Sequence, residues 1–243
     1  MTVTIGAGVS IGAGWGVGGN YSPPALVLNL DAANYTAMPV DGTTIAGAGN
    51  YTITTLNSGG SMSWDPADGG IFRKTIPDPS DFLTFGPDYS ATSQSYTVMM
   101  VYRSQPASPG RLLNANSASP DWLAGLWYNG TYVQDVFYNN AFVGNPTIAD
   151  GNWQFIWATY NGDAGTPFSQ SYVANSTIPT TTYDTNASNG GFDGLRLFGR
   201  YVNSTTSSEV PTADVGLVKV WDGVLTLSEI QGQWSAYKTR FGY

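Results

Sequence analysis

Cysteine and histidine are both missing from this chain of 243 residues. Without cysteine there is neither a disulfide framework nor a thiolate metal site, and nothing points to a redox compartment. Without histidine the chain lacks the commonest general base, the usual zinc ligand and any Ser-His-Asp arrangement, which makes most enzyme classes poor candidates. Charge is scarce too: Asp, Glu, Lys and Arg make up 11% of the residues, against roughly 25% in an ordinary soluble domain. The surface is therefore polar but mostly uncharged. A net charge of −8 argues against nucleic acid as a partner, because phosphate binding relies on clustered Lys and Arg. No apolar run reaches the length of roughly 18 residues expected of a membrane span. The N-terminus has no basic flank, and glycine interrupts its apolar residues. It does not read as a secretory signal, and the opening stretch is expected to stay in the mature protein.

What is present favours strands. A chain of this length buries a substantial core without covalent staples. From Pro23 onward the hydrophobic period is two, in short runs of Val, Ile, Thr, Tyr and Trp separated by Gly, Pro, Asn and Asp. The spacing predicts strands over ALVLNLD (from Ala25), YTITTL (from Tyr51), DFLTFG (from Asp81), SYTVMMVYR (from Ser95), WQFIWATY (from Trp153), LRLFGR (from Leu195) and VGLVKVWD (from Val215). Asn129-Gly130, between WLAGLWY and TYVQDVFY, predicts a hairpin. One helix is predicted near the C-terminus. Thr226 and Glu229 form a capping box, Ile230, Trp234 and Tyr237 share a face, Lys238 and Arg240 complement the dipole, and Gly242 ends it. Pro23-Pro24 marks a boundary between a Gly-rich arm, residues 1–22, and a body of residues 23–243.

Two blocks carry a family resemblance. DGNWQFIWATYNG, from Asp150 to Gly162, resembles the "DGxWHxVxVTYDG" strand and turn of concanavalin A-like lectin and laminin-G-like jelly rolls. LRLFGR followed by ADVGLVKVWDGVLTLSEI, from Ala213 to Ile230, is similar to that family's "LxIGGR … GxIxEVxIYNRALSxxEI", and SYTVMMVYR to its "FTISxWVK" strand. The chain departs from the family at Gln154, where His is frequent, and at Leu217, where Glu is frequent. PALVLNLDAANY, YKTRFG and the TIGAG-type start further resemble laminin-G-like domains in virion structural proteins of tailed bacteriophages, including those infecting cyanobacteria. The resemblance implies an all-β, concanavalin A-like jelly-roll β-sandwich with a short C-terminal helix and an extended N-terminal arm.

Several residues are candidates for a site. Trp122, Trp127, Tyr132 and Tyr138, with Asp121 and Asn139 nearby, offer the aromatic faces and polar oxygens that hold sugars. In a hairpin with alternating faces about half of such rings serve the core instead. Calcium is the metal best suited to the chain, through Asp31, Asn34 and Asp214, although aspartates at strand ends also cap turns. A retaining glycan hydrolase needs two carboxylates about 5 Å apart. The chain has only two glutamates: Glu209 stands in a polar loop and Glu229 serves the helix cap. Asp78 and Asp81 in PDPSD read as turn formers.

The arm alternates Val3, Ile5, Val9 and Ile11 with small residues and ends in Trp15 and Val17. A strand of this kind exposes unpaired backbone beside apolar side chains, which invites pairing with another chain. The expectation is a non-enzymatic virion surface protein, a head decoration or a fibre or tail appendage, anchored by this arm to other virion proteins or to copies of itself. The alternative is a carbohydrate-binding adhesin that recognises host surface polysaccharide.

Overall fold

The computed structural model describes residues 4–5, 9–10, 22–45, 51–89, 95–104, 110–116, 122–128, 132–138, 141–146, 151–162, 168–174, 181–186 and 192–243. The first strands are β1 (Thr4–Ile5), β2 (Val9–Ser10), β3 (Ala25–Asp31), β4 (Thr43–Thr44), β5 (Thr52–Asn57), β6 (Met62–Asp65) and β7 (Ile71–Lys74). Next come β8 (Asp81–Tyr89), β9 (Tyr96–Ser104), β10 (Leu113–Ala115), β11 (Leu123–Tyr128), β12 (Tyr132–Tyr138), β13 (Ala141–Pro146) and β14 (Gln154–Asn161). The remainder are β15 (Phe168–Ala174), β16 (Thr181–Asn186), β17 (Phe192–Leu197), β18 (Arg200–Asn203), β19 (Thr206–Ser208) and β20 (Ala213–Asp222), followed by the helix α1 (Leu227–Tyr237).

Two antiparallel layers form a sandwich. The first sheet runs β13-β12-β11-β10-β17-β8-β5-β4, and the second runs β16-β15-β14-β9-β20-β7-β6, with β3 paired to β20. The pairs β1-β2 and β18-β19 stand as separate two-stranded sheets.

β20 organises the second sheet, with β9 along one side and β7 and then β3 along the other. Every residue of β20 except Asp222 is buried, but its two faces have different destinations. Val215, Val218 and Val220 enter the core between the sheets, whereas Leu217 and Trp221 join a second core on the outer face. A register shift between Val215 and Leu217 makes the switch. Gly216 stands there because a Cβ would lie 2.5 Å from the Phe241 ring, a separation that admits no side chain.

The outer core is closed by α1. The predicted capping box is present: Thr226 Oγ1 accepts from the Glu229 N–H, and the Glu229 carboxylate accepts from the Thr226 N–H at 2.7 Å. Ile230 and Trp234 are buried, and Trp234 meets Phe155 edge to face with ring centres 4.5 Å apart. Burying side chains of this size is worth roughly 1.5–3 kcal/mol each, so the helix is held mainly by its contacts. A 3-10 turn, Lys238–Phe241, follows, and Gly242 ends it at φ 86.

ALVLNLD coincides with β3, and most other predicted strands differ from the observed ones only near their ends. LRLFGR is the exception: β17 stops at Leu197, the chain turns through Phe198 (φ 72) and Gly199 (φ 138), and Arg200 starts β18. β11 and β12 pair as the predicted hairpin, with Tyr128 opposite Tyr132. The turn residues Asn129 and Gly130 lie outside the described residues. Strands of three or four residues, such as β6, β7 and β10, are too short to display a period and were not predicted.

Candidate functional site

Alternation along neighbouring strands of the first sheet builds the site. Ile53, Leu83, Leu195, Leu197 and Leu113 turn inward and are fully buried. The intervening positions Thr54, Thr84, Arg196 and Asn114 then stand opposite one another across β5, β8, β17 and β10, on the face turned away from the core. Beside this row a trough of about 320 Å³ opens between Tyr51, Thr52, Thr54, Thr84 and Asn116, above the backbone of Gly86 and Gly194. Its volume lies at the lower end of the range of roughly 300–1,000 Å³ for small-molecule pockets.

Glycine makes the trough. Gly194 sits at φ 73 where the β17–β8 register shifts, and a Cβ there would come 3.4 Å from the Phe85 carbonyl oxygen and 3.7 Å from Asn116 Cβ. A side chain at 194 would crowd Asn116 in a backbone conformation that L residues rarely adopt.

Arg196 lies beside the trough and is 1% exposed. Its Nε donates to Asn116 Oδ1 at 3.2 Å, its Nη1 to the Thr206 carbonyl and Ser207 Oγ, each at 2.9 Å, and its Nη2 to the Asn203 carbonyl at 2.9 Å. The last three acceptors belong to the β18–β19 hairpin, which the guanidinium ties to the sheet. Phe82 and Tyr201 contribute their rings, 3.8 and 4.7 Å from the guanidinium carbon. Burial lowers the guanidinium to about 10. Because Asn116 Oδ1 is taken by Arg196, the Asn116 NH₂ is left to serve the trough as a donor. The trough thus offers three threonine hydroxyls, an amide donor and a tyrosine, a set suited to a polyhydroxylated ligand.

None of the residues named from sequence is among the described residues that line this trough. Trp122 is fully buried, its ring centre 4.8 Å from that of Phe192 and its indole N–H donating to the Tyr96 hydroxyl at 2.9 Å. That enclosure leaves no face for a sugar, so Trp122 belongs to the core. Trp127, Tyr132 and Tyr138 take backbone positions on β11 and β12, opposite Val133, Tyr128 and Ala141. Asp121 and Asn139 lie outside the described residues, as do Val3, Ile11, Trp15 and Val17 of the arm. Ile5 and Val9 are paired with each other, and Thr4 with Ser10.

The proposed calcium ligands are engaged by arginine. Asp214 accepts from Arg73 Nε at 2.8 Å and from Arg103 Nη2 at 2.6 Å, and Asp31 accepts from Arg240 Nη1 at 2.6 Å and from the Ala33 N–H at 3.0 Å. A cation would have to displace guanidinium groups from both carboxylates. Asn34 is exposed. Among the described residues no group of three or more acidic, cysteine or histidine side chains is placed to hold a metal ion. The row Arg73–Asp214–Arg103 instead borders a second cleft of about 490 Å³, with Arg103 4.7 Å from the Trp153 ring centre.

Sequence reading missed Thr52, Thr54, Thr84, Asn116 and Arg196. One signal was available. Arg196 is a cation between two leucines of a predicted strand, in a chain with only nine Lys and Arg residues.

The sheets, the two cores and the capping helix define an all-β sandwich of the jelly-roll type with a short C-terminal helix. No family model matches the chain, and no curated protein matches it in sequence. Solved structures do match. Domain 4 of AbnA, a GH43 extracellular arabinanase from Geobacillus stearothermophilus, in complex with arabinotriose, is 12% identical with a TM-score of 0.54, covering 87% of this chain and 98% of that one. The binding domain of Paraclostridial Mosquitocidal Protein 1 is 12% identical with a TM-score of 0.59, covering 88% of this chain and 52% of its own. The ligand-binding domain of botulinum neurotoxin serotype D, in complex with N-acetylneuraminic acid, is 10% identical with a TM-score of 0.60, covering 87% and 51%. The chain therefore spans about half the length of these toxin binding domains.

Proposed function

We propose that this protein is a non-catalytic carbohydrate-binding module that reads polysaccharide with the open face of its first sheet. The trough carries this reading: Thr52, Thr54, Thr84, Asn116 and Tyr51 converge on one opening of about 320 Å³ floored by glycine backbone. Solved structures of like fold, among them complexes with arabinotriose and N-acetylneuraminic acid, add support. The engagement of the glutamates favours binding over hydrolysis, since Glu229 closes the helix cap and Glu209 pairs with Arg111 at 2.8 Å and Arg200 at 3.2 Å. Screening the full chain on an array of bacterial, algal and animal polysaccharides tests the proposal. Binding that Thr84→Val and Asn116→Ala weaken at least tenfold is the expected result, and silence across the array rejects it.

The second reading places the module on the surface of a virion, displayed outward and anchored through the N-terminal arm to other virion proteins or to copies of itself. It is supported by the resemblance of PALVLNLDAANY, YKTRFG and the TIGAG-type start to laminin-G-like domains of tailed-phage structural proteins and by an uncharged, Gly-spaced arm. Comparing the intact chain with one lacking residues 2–20 for incorporation into particles tests it. Equal incorporation rules the anchor out.

A further inference from the structure

Arg196 differs from every other arginine of the chain. Arg73 and Arg103 pair with Asp214, Arg111 and Arg200 with Glu209, and Arg240 with Asp31. Arg196 is the most buried of them, yet its acceptors are an amide oxygen, two carbonyls and a hydroxyl, all neutral. A buried cation without a counter-charge is costly. Among the described residues the fold supplies a carboxylate to the five other arginines and none to this one. Asn116 connects it to the trough: its amide oxygen is held by Arg196, the residue lines the wall, and among the described residues its NH₂ has no partner.

We propose that the trough takes a sugar bearing a carboxylate, of the uronic or sialic acid kind, a ligand class that rests on the glycan-binding reading above. The ligand carboxylate accepts from the Asn116 NH₂ and supplies the counter-charge that Arg196 lacks. Arg196 is a positioning residue: it fixes the amide so that donors face the ligand, and its charge stands beside the trough, itself buried and therefore weakly screened. Asp193, next to Gly194 on β17, is exposed, so solvent and salt screen its opposition to an anion.

Asn116→Asp separates this role from a structural one. An aspartate there places an anion against Arg196 without altering side-chain size, so the fold keeps or gains thermal stability while the ligand carboxylate is repelled. The full chain is titrated by calorimetry with oligogalacturonate, alginate and polysialic acid fragments, each beside its carboxyl-reduced counterpart, at low and high salt. The expected result is at least tenfold tighter binding of an acidic fragment than of its reduced form, an advantage that shrinks with salt and disappears in Asn116→Asp at unchanged or raised Tm. Equal binding of acidic and reduced forms, or a preference that survives Asn116→Asp, overturns the carboxylate assignment and leaves glycan binding standing. No binding of any fragment overturns the assignment, and a silent array then removes the glycan-binding reading with it.

Discussion

Lys74 is 1% exposed and ends in a closed polar cluster. Its Nζ donates to Ser61 Oγ at 3.2 Å, to the Asp78 carbonyl at 2.9 Å and to the Asp81 carbonyl. The Asp81 carboxylate accepts from the Gly59 N–H at 2.8 Å, the Ser61 N–H at 2.7 Å and Ser61 Oγ at 2.6 Å. Burial pushes Lys74 down to about 8, partly offset by Asp81 and Asp78. Burial alone would raise Asp81, but the hydrogen bonds from Ser61 and Gly59 and the charge of Lys74 bring it below the ordinary value. Lys74 has its ordinary value of 10.5 in the unfolded chain. Between about pH 8 and that value the unfolded chain binds more protons than the folded one, so stability rises with pH there. Burial raises the phenols of Tyr35, Tyr51 and Tyr237 above 10, so at higher pH the unfolded chain loses those protons first and opposes the rise, while the lowered Arg196 guanidinium acts in the same sense as Lys74. The expected gain from pH 8 to 10 is on the order of 2 kcal/mol, read as a rising urea midpoint. Lys74→Met removes most of it. Lys219, shifted downward by burial with Asp31 opposing, leaves a remnant. A flat wild-type profile contradicts the assignment. Asp81→Ala leaves the ammonium buried without its counter-charge, for an expected loss of about 3–5 kcal/mol in urea unfolding. Of the PDPSD motif only half was legible. Asp78 does act as a turn former, accepting from the Ser80 N–H at 2.8 Å, but the role of Asp81 depends on Ser61, a residue distant in sequence that no local pattern connects to it.

At the scale of elements, α1 separates local from tertiary stabilisation. Thr226→Ala removes the acceptor for the Glu229 N–H and the partner in the capping box, for an expected cost of about 1 kcal/mol. Trp234→Ala empties a place bounded by Phe155 and Tyr243, with ring centres 4.5 and 5.4 Å away, for about 3–5 kcal/mol. Urea denaturation of the two variants checks the ratio, and equal losses would mean that the cap rather than the contact holds the helix. The cap was readable because its partners are three residues apart. Long strands such as β3 and β9 were readable because period two persists over seven or more residues. The trough was not readable. Thr54 and Thr84 come from two strands and Asn116 from the bend after β10, and only the strand register, together with the register shift in β17 at Gly194, brings them to one opening. Trp122 misled for a related reason: its composition suits sugar binding, but its burial against Phe192 depends on a strand far along the chain.

The whole molecule raises the question of what the arm adds. The buried residues that form the two cores come from Leu28 onward among the described residues. β1 and β2 pair only with each other there. A ladder of two residues per strand is marginal in water at best, and among the described residues nothing pairs with its outer edges beside Ile5 and Val9. Two arrangements satisfy those edges, and they predict opposite outcomes for removal of residues 2–20. If the arm serves assembly, the truncated chain melts within about 2 °C of the intact one, because the sandwich loses no packing, while sedimentation shows the loss of higher-order species or particle binding. If the arm lies on an edge of its own sandwich, truncation strips a strand from that edge. The melting temperature then falls by roughly 4 °C or more, the shift that a loss above about 1–2 kcal/mol brings in a domain of this size, and the sedimenting mass changes only by the missing residues. The assembly outcome is expected, because a leader of glycine, β-branched residues and no charge has little side-chain surface to offer a single edge. It has a whole backbone to offer a neighbour that pairs with it on both sides.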